Sequence, residues 1–323
     1  MLPDPLLPYR VGGLLYTPAL NPGIGEKIRT NAIPGLTSVA LCLEDAVEDE
    51  ALSDAERELC RTLRLLEDCE RLPLLFVRVR SPQHLAKIHR MLGSSAELLC
   101  GYVLPKFDLG NAERYLELLD GLNARSAAPV WCMPILESGM VANITHRREN
   151  LAQIKSVLDA DRSRILNVRV GGNDFCNLFG IRRHADQTIY DVGVIRDILS
   201  DIVNVFGSDY VVSGPVWDYF GADPDGLWAQ GLRREMELDL VNGFIGKTAI
   251  HPSQLPVIAD CLRVRRSDYN DAAQILDWKP DGMGVRKSAD GARMNERKCH
   301  VRWAKKTIAL AEVFGVAEES GSV

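Results

Sequence analysis

The sequence lacks three features that would define other classes of protein: paired cysteines, long apolar runs and a secretory start. Its eight cysteines include no Cys-x-x-Cys pair, which in a chain of 323 residues indicates reduced, packed thiols and not a disulfide or zinc framework. No segment approaches the roughly 20 uninterrupted apolar residues of a membrane span. The first ten residues hold three prolines and no basic start or apolar core, so we expect a cytoplasmic protein.

An excess of positive charge is also missing. The formal net charge is -6 at pH 7, and affinity for nucleic acid depends on concentrated Lys and Arg against phosphate. We therefore expect no nucleic-acid partner. At 46% hydrophobic, the chain is long enough to bury a substantial core in one large barrel or two medium domains.

Short apolar runs alternate with helical segments along the chain. Strands are predicted at 14–17, 39–43, 74–78, 102–104, 130–136, 165–170, 209–212 and 244–250. Helices are predicted at 22–29, from about 53, from 82, and at 147–158, 187–205 and 224–241. Eight strand-helix alternations with short connections predict an α/β fold, a (β/α)₈ TIM barrel, with a doubly wound open sheet as the alternative.

The pattern loosens near the C-terminus. We predict a TIM-barrel catalytic domain over 1–254 and a C-terminal helical extension over 255–323. Within the extension, residues 281–291 form a Gly-rich polar linker, and 294–313 is predicted to be helical. This extension is interpreted as a mobile lid or as an arm exchanged between subunits, and a frayed surface tail is the alternative.

Polar residues lie at or just past the predicted strand ends, which favours the barrel over the open sheet. In a TIM barrel these positions share the catalytic rim. They are Glu44, Arg78, Lys106, Glu137, Asp174, Ser213 and His251.

Two of these residues, Glu137 and Asp174, follow neighbouring predicted strands. Carboxylates at the carboxyl ends of adjacent parallel strands converge on one mouth. One or two carboxylates, with water and substrate completing the shell, are the ligands that Mg²⁺ requires. The sequence therefore predicts a magnesium site, with helix capping or isolated salt bridges as the alternative for either acid.

The other charged rim residues are candidate catalytic and substrate-binding groups. Arg78 is predicted to direct its guanidinium into the barrel mouth and to hold a carboxylate or an oxyanion, or else only to pair with Glu44 or Asp45. That acidic pair is suited to binding metal-bound water or orienting the cations, and helix capping competes with this role. A desolvated Lys106 would provide the amine of a Schiff base, whereas a protonated Lys106 is an ion-pair partner, which we favour.

Glycines precede the second acid. In the segment 171–174 they let the backbone approach the site, so Gly172 and Asn173 are candidate substrate-binding residues, although two glycines also suit a tight turn. The later Gly-Lys-Thr at 246–248 lacks the first glycine of a phosphate-binding loop. His251 has no histidine partner at ligand spacing and is interpreted as a structural hydrogen-bonding residue.

Taken in order, these motifs resemble the citrate lyase β subunit-like (CitE-like) enzymes of the HpcH/HpaI aldolase and citrate lyase family. The resemblance covers nearly the whole chain and rests on segments 15–18, 41–47, 77–79, 104–106, 134–137, 170–174 and 246–252. It implies a TIM barrel that uses Mg²⁺ to cleave or form carbon-carbon bonds in 3-hydroxy acids or 3-hydroxyacyl-CoA esters. It also implies that Glu137 and Asp174 bind the metal, that Arg78 holds the substrate oxygen, and that the protein forms homotrimers or homohexamers.

Two positions depart from the family pattern. Asn21 replaces an arginine that helps to hold CoA phosphates in relatives. This difference favours a free acid over a CoA thioester as the substrate. Glu296 replaces an aspartate that reaches a neighbouring subunit's site as an acid or base, and it is one methylene longer. By the resemblance, Glu296 is the candidate proton-transfer residue.

The hypothesis is a Mg²⁺-dependent carbon-carbon lyase or aldolase that acts on an oxo or hydroxy acid through a metal-stabilised enolate. Its catalytic residues are Arg78, Glu296, Glu44 and Asp45. Two alternatives stay open: a Schiff-base aldolase that uses Lys106, and a non-catalytic accessory or metabolite-binding subunit.

Overall fold

The computed structural model describes residues 4–279 and 282–318. The chain divides into two compact units, Met1–Ile258 and Ala259–Val323. The division falls four residues beyond the end of the predicted catalytic domain, within a helix. No helix among the described residues is long and apolar enough to cross a membrane.

Eight parallel strands form the centre of the first unit. They are β1 (Gly13–Pro18), β2 (Ser38–Cys42), β3 (Leu74–Arg78), β4 (Gly101–Leu104), β5 (Trp131–Leu136), β6 (Val168–Val170), β7 (Val212–Ser213) and β8 (Lys247–Ala249). Their order is β7-β6-β5-β4-β3-β2-β1-β8. A parallel bridge between Gly214 and Lys247 joins the two ends of this series, so the sheet closes on itself. The predicted TIM barrel is confirmed, and the open-sheet alternative is wrong.

Helices follow the strands around the barrel. In chain order they are α1 (Leu7–Arg10), α2 (Ile24–Arg29), α3 (Leu52–Leu66), α4 (Pro82–Leu92), α5 (Ala112–Asn123), α6 (Gly139–Ala142), α7 (Arg147–Ala160), α8 (Gly172–Leu178), α9 (Gly193–Phe206), α10 (Leu227–Val241) and α11 (Gln254–Cys261). The second unit adds α12 (Arg266–Leu276), β9 (Val285–Lys287), β10 (Met294–Glu296) and α13 (Arg297–Phe314).

Local chemistry explains where two of the helices begin. Helix α4 starts as predicted, because the Ser81 side chain accepts a hydrogen bond from the His84 amide and Pro82 occupies the first turn. Helix α2 starts later than predicted. The Asn21 side chain accepts from the Gly23 amide at 3.3 Å, which forms a turn ahead of the helix and delays its start to Ile24.

The barrel interior shows the two-residue period of its strands. Apolar residues of the core, including Leu14, Phe76 and Ile135, point inward. Two residues further along the same strand faces come Tyr16, Arg78 and Glu137. Each of these three strands therefore buries an apolar residue in the core and is followed two residues later by a polar one at its carboxyl end.

The second unit corrects the prediction for 281–313. Met294–Glu296 is a strand that pairs with Val285–Lys287, so the helix begins at Arg297 and not at 294. The buried Asn295 amide donates to Asp271 at 2.9 Å, which fixes this strand against α12. Residue 281, the first of the predicted linker, lies outside the described residues.

The eight cysteines are all among the described residues, and none of them is in a disulfide. Three are buried, four are partly buried and Cys299 is exposed.

Candidate active site

A cavity of about 410 Å³ opens at the carboxyl ends of the barrel strands. This is the end of a TIM barrel at which active sites form. Polar and charged side chains form part of its lining. They are Tyr16, Asp45, Arg78, Glu137, Arg169, Asn173, Asp174 and Thr248.

Arg78, at the end of β3, is the hub of an ion-pair cluster on this rim. Its Nη2 lies 2.8 Å from Glu44 Oε2, 3.0 Å from Asp45 Oδ2 and 3.3 Å from Glu137 Oε1. The guanidinium is buried, and although burial alone would lower its pKa, the negative groups around it raise that pKa. Arg78 therefore lines the cavity as predicted. It also pairs with Glu44 and Asp45, which was the alternative prediction for this residue.

Glu44 and Asp45 do not cap the helix that follows them. The residue at the start of α3 is Ala51, whose side chain makes no capping bond. Burial and the adjacent Asp45 raise the pKa of the Glu44 carboxyl, and Arg78 and Lys106 oppose that rise. The two acids belong to the charge cluster of the site, and only the Asp45 side chain reaches the cavity lining.

Glu137 is the most buried acid of the cavity, at 4% exposure. Its Oε1 accepts a hydrogen bond from the Lys106 backbone amide at 2.8 Å as well as the contact from Arg78. Burial raises the pKa of this carboxyl to about 8, and Arg78 opposes the rise while the nearby charge of Asp174 adds to it. The Glu137 carboxyl group therefore has one arginine as its cationic partner and shares its cavity with the carboxyl group of Asp174.

Lys106 contributes its backbone amide to the site as well as its side chain, which the sequence does not indicate. Its φ of 49° is unusual for a residue with a side chain, and this conformation accompanies the amide contact to Glu137. Its Nζ lies 2.7 Å from Glu44 Oε1 and 3.3 Å from Asp45 Oδ1. Burial acts to lower the pKa of this amine, but the two acids raise it, so the amine stays protonated.

Gly171 makes room for Glu137. A Cβ at this position would lie 2.2 Å from Glu137 Oε2, so only glycine allows the carboxylate to pack against this backbone. Gly172 and Asn173 open α8 and also line the cavity. The Asn173 side chain donates to Asp218 at 2.7 Å, which fixes the amide of this candidate substrate-binding residue.

The donor set fits a magnesium ion. Glu137 and Asp174 line one cavity, the charge of Asp174 raises the cost of charging Glu137, and hard oxygen ligands are what Mg²⁺ prefers. Within 4–279 and 282–318, no group of three or more His, Cys, Asp or Glu side chains is arranged to hold a metal. Two carboxylates plus water and substrate oxygens are a sufficient set for magnesium, whereas zinc would require more protein ligands.

Three residues of the lining were missed by sequence reasoning. Tyr16 of β1, Arg169 of β6 and Thr248 of β8 face the cavity from the barrel interior. The available signal was a charged residue inside the apolar run 165–170, since an arginine within a buried strand needs a partner.

Other rim candidates lie outside the cavity lining in the described structure. The Ser213 hydroxyl donates to the Ile245 carbonyl at 2.8 Å, which ties β7 to the segment before β8. The His251 ring stacks on Phe220 and bonds Ser253 at 2.8 Å, which agrees with its structural interpretation.

Glu296 lies in the second unit, at the end of β10. Its side chain accepts a contact from Cys299 Sγ at 3.2 Å, and its amide donates to His300 Nδ1 at 3.0 Å. Glu296 is partly exposed, and its carboxylate forms no ion pair with an arginine or lysine among the described residues.

The closed barrel and the acid-lined cavity at the carboxyl ends of its strands define a TIM-barrel protein with an enzyme-type site. The family model described as the C-C bond lyase of the TIM-barrel fold matches residues 5–316. The chain therefore belongs to this family of carbon-carbon bond lyases. The predicted family resemblance and the predicted lyase class are both confirmed. Comparison with curated protein sequences gives no match.

Solved structures share the fold at low identity. A CitE protein from Mycobacterium tuberculosis, in complex with magnesium, acetoacetate and coenzyme A, is 22% identical with a TM-score of 0.62, over 94% of this chain and 99% of that one. A citrate lyase β subunit from M. tuberculosis, with oxaloacetate and magnesium, is 24% identical with a TM-score of 0.55, over 78% of this chain and 98% of its own. RipC from Yersinia pestis is 18% identical, with a TM-score of 0.54 over 78% and 95%.

Proposed function

We propose that the protein is a Mg²⁺-dependent carbon-carbon lyase or aldolase whose substrate is a 3-hydroxy acid or a 3-hydroxyacyl-CoA ester. The observation that carries the proposal is the pair of carboxylates, Glu137 and Asp174, in one cavity of a carbon-carbon lyase barrel. These two residues would hold the ion. When bound, Mg²⁺ supplies a Lewis acid that stabilises negative charge developing on a substrate oxygen during bond cleavage.

Arg78 has the role of orienting the substrate oxygen. Its guanidinium is fixed by three carboxylates, so its donors are preorganised and need little rearrangement when charge develops. Glu44 and Asp45 hold this arginine in place and, with the raised pKa of Glu44, are candidates to assist proton movement at the rim. The backbone amide of Lys106 keeps Glu137 oriented toward the cavity.

Free acids are the preferred substrates. Oxo acids accompany magnesium in two of the similar structures, which supports an oxo or hydroxy acid ligand here. Asn21, at the position of the CoA-binding arginine, donates its side-chain amide to Thr17 Oγ1 at 3.3 Å and is held in its own loop. We therefore place a free acid ahead of a CoA thioester.

We assign proton transfer to Glu296, supplied by a neighbouring subunit of a homotrimer or homohexamer. The extension 255–323 is proposed as the segment exchanged between subunits or closing as a lid. Mixing E137Q and E296Q proteins tests this assignment, because two inactive variants regain activity only if one site draws residues from two chains. Activity that stays absent in a confirmed mixed oligomer contradicts it.

The Schiff-base alternative finds little support. Lys106 is paired with two acids, its pKa is raised, and its side chain is absent from the cavity lining of the described residues. A neutral, desolvated amine is what that mechanism needs. No observation favours the accessory-subunit alternative, and turnover would exclude it.

The test is a screen of the purified protein with Mg²⁺ against hydroxy acids, free and as CoA esters, for release of pyruvate, glyoxylate or oxaloacetate. Activity is expected with a free acid, to be lost on chelation and restored by Mg²⁺. Turnover that survives chelation, with borohydride trapping of the substrate on the protein, contradicts the metal mechanism. No turnover with any member of the panel, in protein that binds Mg²⁺, supports the accessory subunit instead.

A further inference from the structure

Four arginines of the first unit have buried side chains, and three of them are neutralised by carboxylates. They are Arg78, Arg147, Arg169 and Arg183. Arg78 contacts three acids of the rim, Arg147 lies 3.0 Å from an Asp201 oxygen, and Arg183 lies 3.4 Å from Glu235 and 3.7 Å from Asp218. Arg169 has no carboxylate within 4.0 Å in the described part of the chain.

Arg169 also leaves two of its donors unused. Its Nη2 donates to Thr248 Oγ1 at 2.7 Å, but its Nε and Nη1 are buried and make no hydrogen bond. The guanidinium carbon lies 5.9 Å from the centre of the Tyr16 ring, and the side chain forms part of the cavity wall. Arg169 therefore borders the same cavity as Glu137 and Asp174, and its two unused donors are buried in the cavity wall.

An unpaired buried guanidinium is costly. Burial lowers the pKa of Arg169 and the nearby charge of Arg78 acts in the same direction, although the Tyr16 hydroxyl opposes both. Arginine nevertheless stays charged in proteins, so the cost is carried as an uncompensated positive charge. Buried groups whose charge is perturbed in this way cluster at functional sites, where a ligand can supply the counter-charge.

We propose that Arg169 binds a carboxylate of the substrate that is separate from the oxo or hydroxy acid group, which would be held through the Mg²⁺ ion at Glu137 and Asp174. The proposal rests on the proposed function and narrows its substrate to acids with two carboxylates. The cavity then has two poles: a carboxylate pair for the metal and a guanidinium for the second anionic group. Arg169 is 1% exposed, so binding of a carboxylate at Nε and Nη1 requires neighbouring side chains of the cavity wall to move.

The test compares a dicarboxylate with a monocarboxylate. Isothermal titration in the presence of Mg²⁺ gives the affinities of oxaloacetate and pyruvate for the wild type, R169M, R169K and R147M. The wild type is expected to prefer oxaloacetate, and R169M to lose roughly 10- to 100-fold in oxaloacetate affinity, the usual effect of removing a hydrogen bond to a charged group. Pyruvate affinity is expected to stay unchanged. R169K, which keeps the charge, is expected to retain part of the preference.

R147M is the matched control, because Arg147 is equally buried but paired away from the cavity. It is expected to keep the wild-type preference and to lower the melting temperature. Metal-free R169M is expected to melt at or above the wild-type temperature, since it removes a charge that has no partner. A clear drop in its melting temperature would contradict the view that the charge of Arg169 is uncompensated. The affinities for the two acids would then be compared between the wild type and R169K.

The outcomes separate the two proposals. If R169M binds oxaloacetate like the wild type, or if the wild type does not distinguish the two acids, the role of Arg169 is overturned and the metal site stands. If the wild type binds neither acid with Mg²⁺, or if E137Q binds both as the wild type does, the proposed function fails and this inference fails with it.

Discussion

Two buried charged regions of the barrel differ in how completely their charges are neutralised. Between β8 and α10, Lys247 is 0% exposed and lies 2.9 Å from Glu235 and 2.7 Å from Asp239. Tyr190 donates a further hydrogen bond to Asp239 at 2.7 Å. In this region, every charge has an opposite charge within the chain.

The charges that line the cavity are neutralised less completely. Glu137 lies beside Asp174, its pKa is raised, and Arg169 has no carboxylate partner among the described residues. A pair of carboxylates in one cavity and an arginine without a carboxylate are charges that a cation and an anionic ligand would neutralise. The comparison suggests that structural charges are neutralised by the fold and that functional charges are left for ligands. Four predictions test it.

The largest effect is expected on stability at the neutralised region. K247M leaves Asp239 buried without a cation among the described residues, and leaves Glu235 with only Arg183, 3.4 Å away. Because a buried charge that loses its partner is costly, we expect the free energy of unfolding to fall by about 3 to 5 kcal/mol. Urea denaturation followed by circular dichroism measures this. K27M, at an exposed lysine, is the control and is expected to behave like the wild type. If both variants unfold at the same urea concentration, Lys247 is not a structural cation.

The next effect is on turnover at the cavity. E137Q and D174N each remove a negative group that would bind Mg²⁺, and we expect a loss of roughly 3 to 4 kcal/mol in barrier, or about 10²- to 10³-fold in kcat. The assay is Mg²⁺-dependent release of the oxo acid, with melting temperature as the check on folding. E113Q, at an exposed glutamate, should retain activity. Near-normal, metal-stimulated turnover by either site variant would exclude these residues as metal ligands.

A smaller effect is expected in the pH dependence of stability of the metal-free protein. The Glu137 pKa is raised from 4.5 to about 8, so protonated Glu137 stabilises the fold below pH 4.5 and this contribution is lost as pH rises toward 8. The melting temperature should therefore fall between pH 5 and pH 8. E137Q has no proton to lose there, so its profile should be flatter, and Mg²⁺ should reduce the fall in the wild type. Parallel profiles for the two proteins would contradict the raised pKa.

The smallest effect is expected for K106M. The lysine side chain is 53% exposed, and half-exposed ion pairs contribute about 1 kcal/mol or less. We expect only a few-fold change in kcat, because the backbone amide that holds Glu137 is retained. Borohydride treatment with substrate, followed by mass spectrometry, should show no adduct at this residue. A trapped adduct together with complete inactivation would restore the Schiff-base mechanism.

Much of the fold was predictable because its signals are local. Apolar runs, and helix starts such as Ser81-Pro82, depend only on neighbouring residues. Eight strands that alternate with helices are compatible with few topologies. Prediction was wrong where a distant contact decides the local structure. Residues 294–296 were predicted to be helical, yet they pair with 285–287 in a hairpin and are fixed by a hydrogen bond from Asn295 to Asp271.

The candidate site was predictable in its composition and less so in its pairings. Polar residues past strand ends identified Arg78, Glu137 and Asp174 as neighbours. The contact from Arg78 to Glu137 joins residues 59 apart in the sequence, and the contact from Arg169 to Thr248 joins residues 79 apart. No local pattern specifies such contacts, so Tyr16 and Arg169 were missed.

The sequence by itself determined the alternation of strands and helices and the set of charged groups at the strand ends, because strand and helix periods and turn chemistry act over a few residues. Only the tertiary structure decided which of those charges are neutralised within the chain and which are not. Closure of the barrel brings side chains from different strands to one cavity, and it leaves Arg169 without an acid and Glu137 beside another acid. Burial then sets the energetic consequence, since a charge removed from water requires an opposite charge nearby.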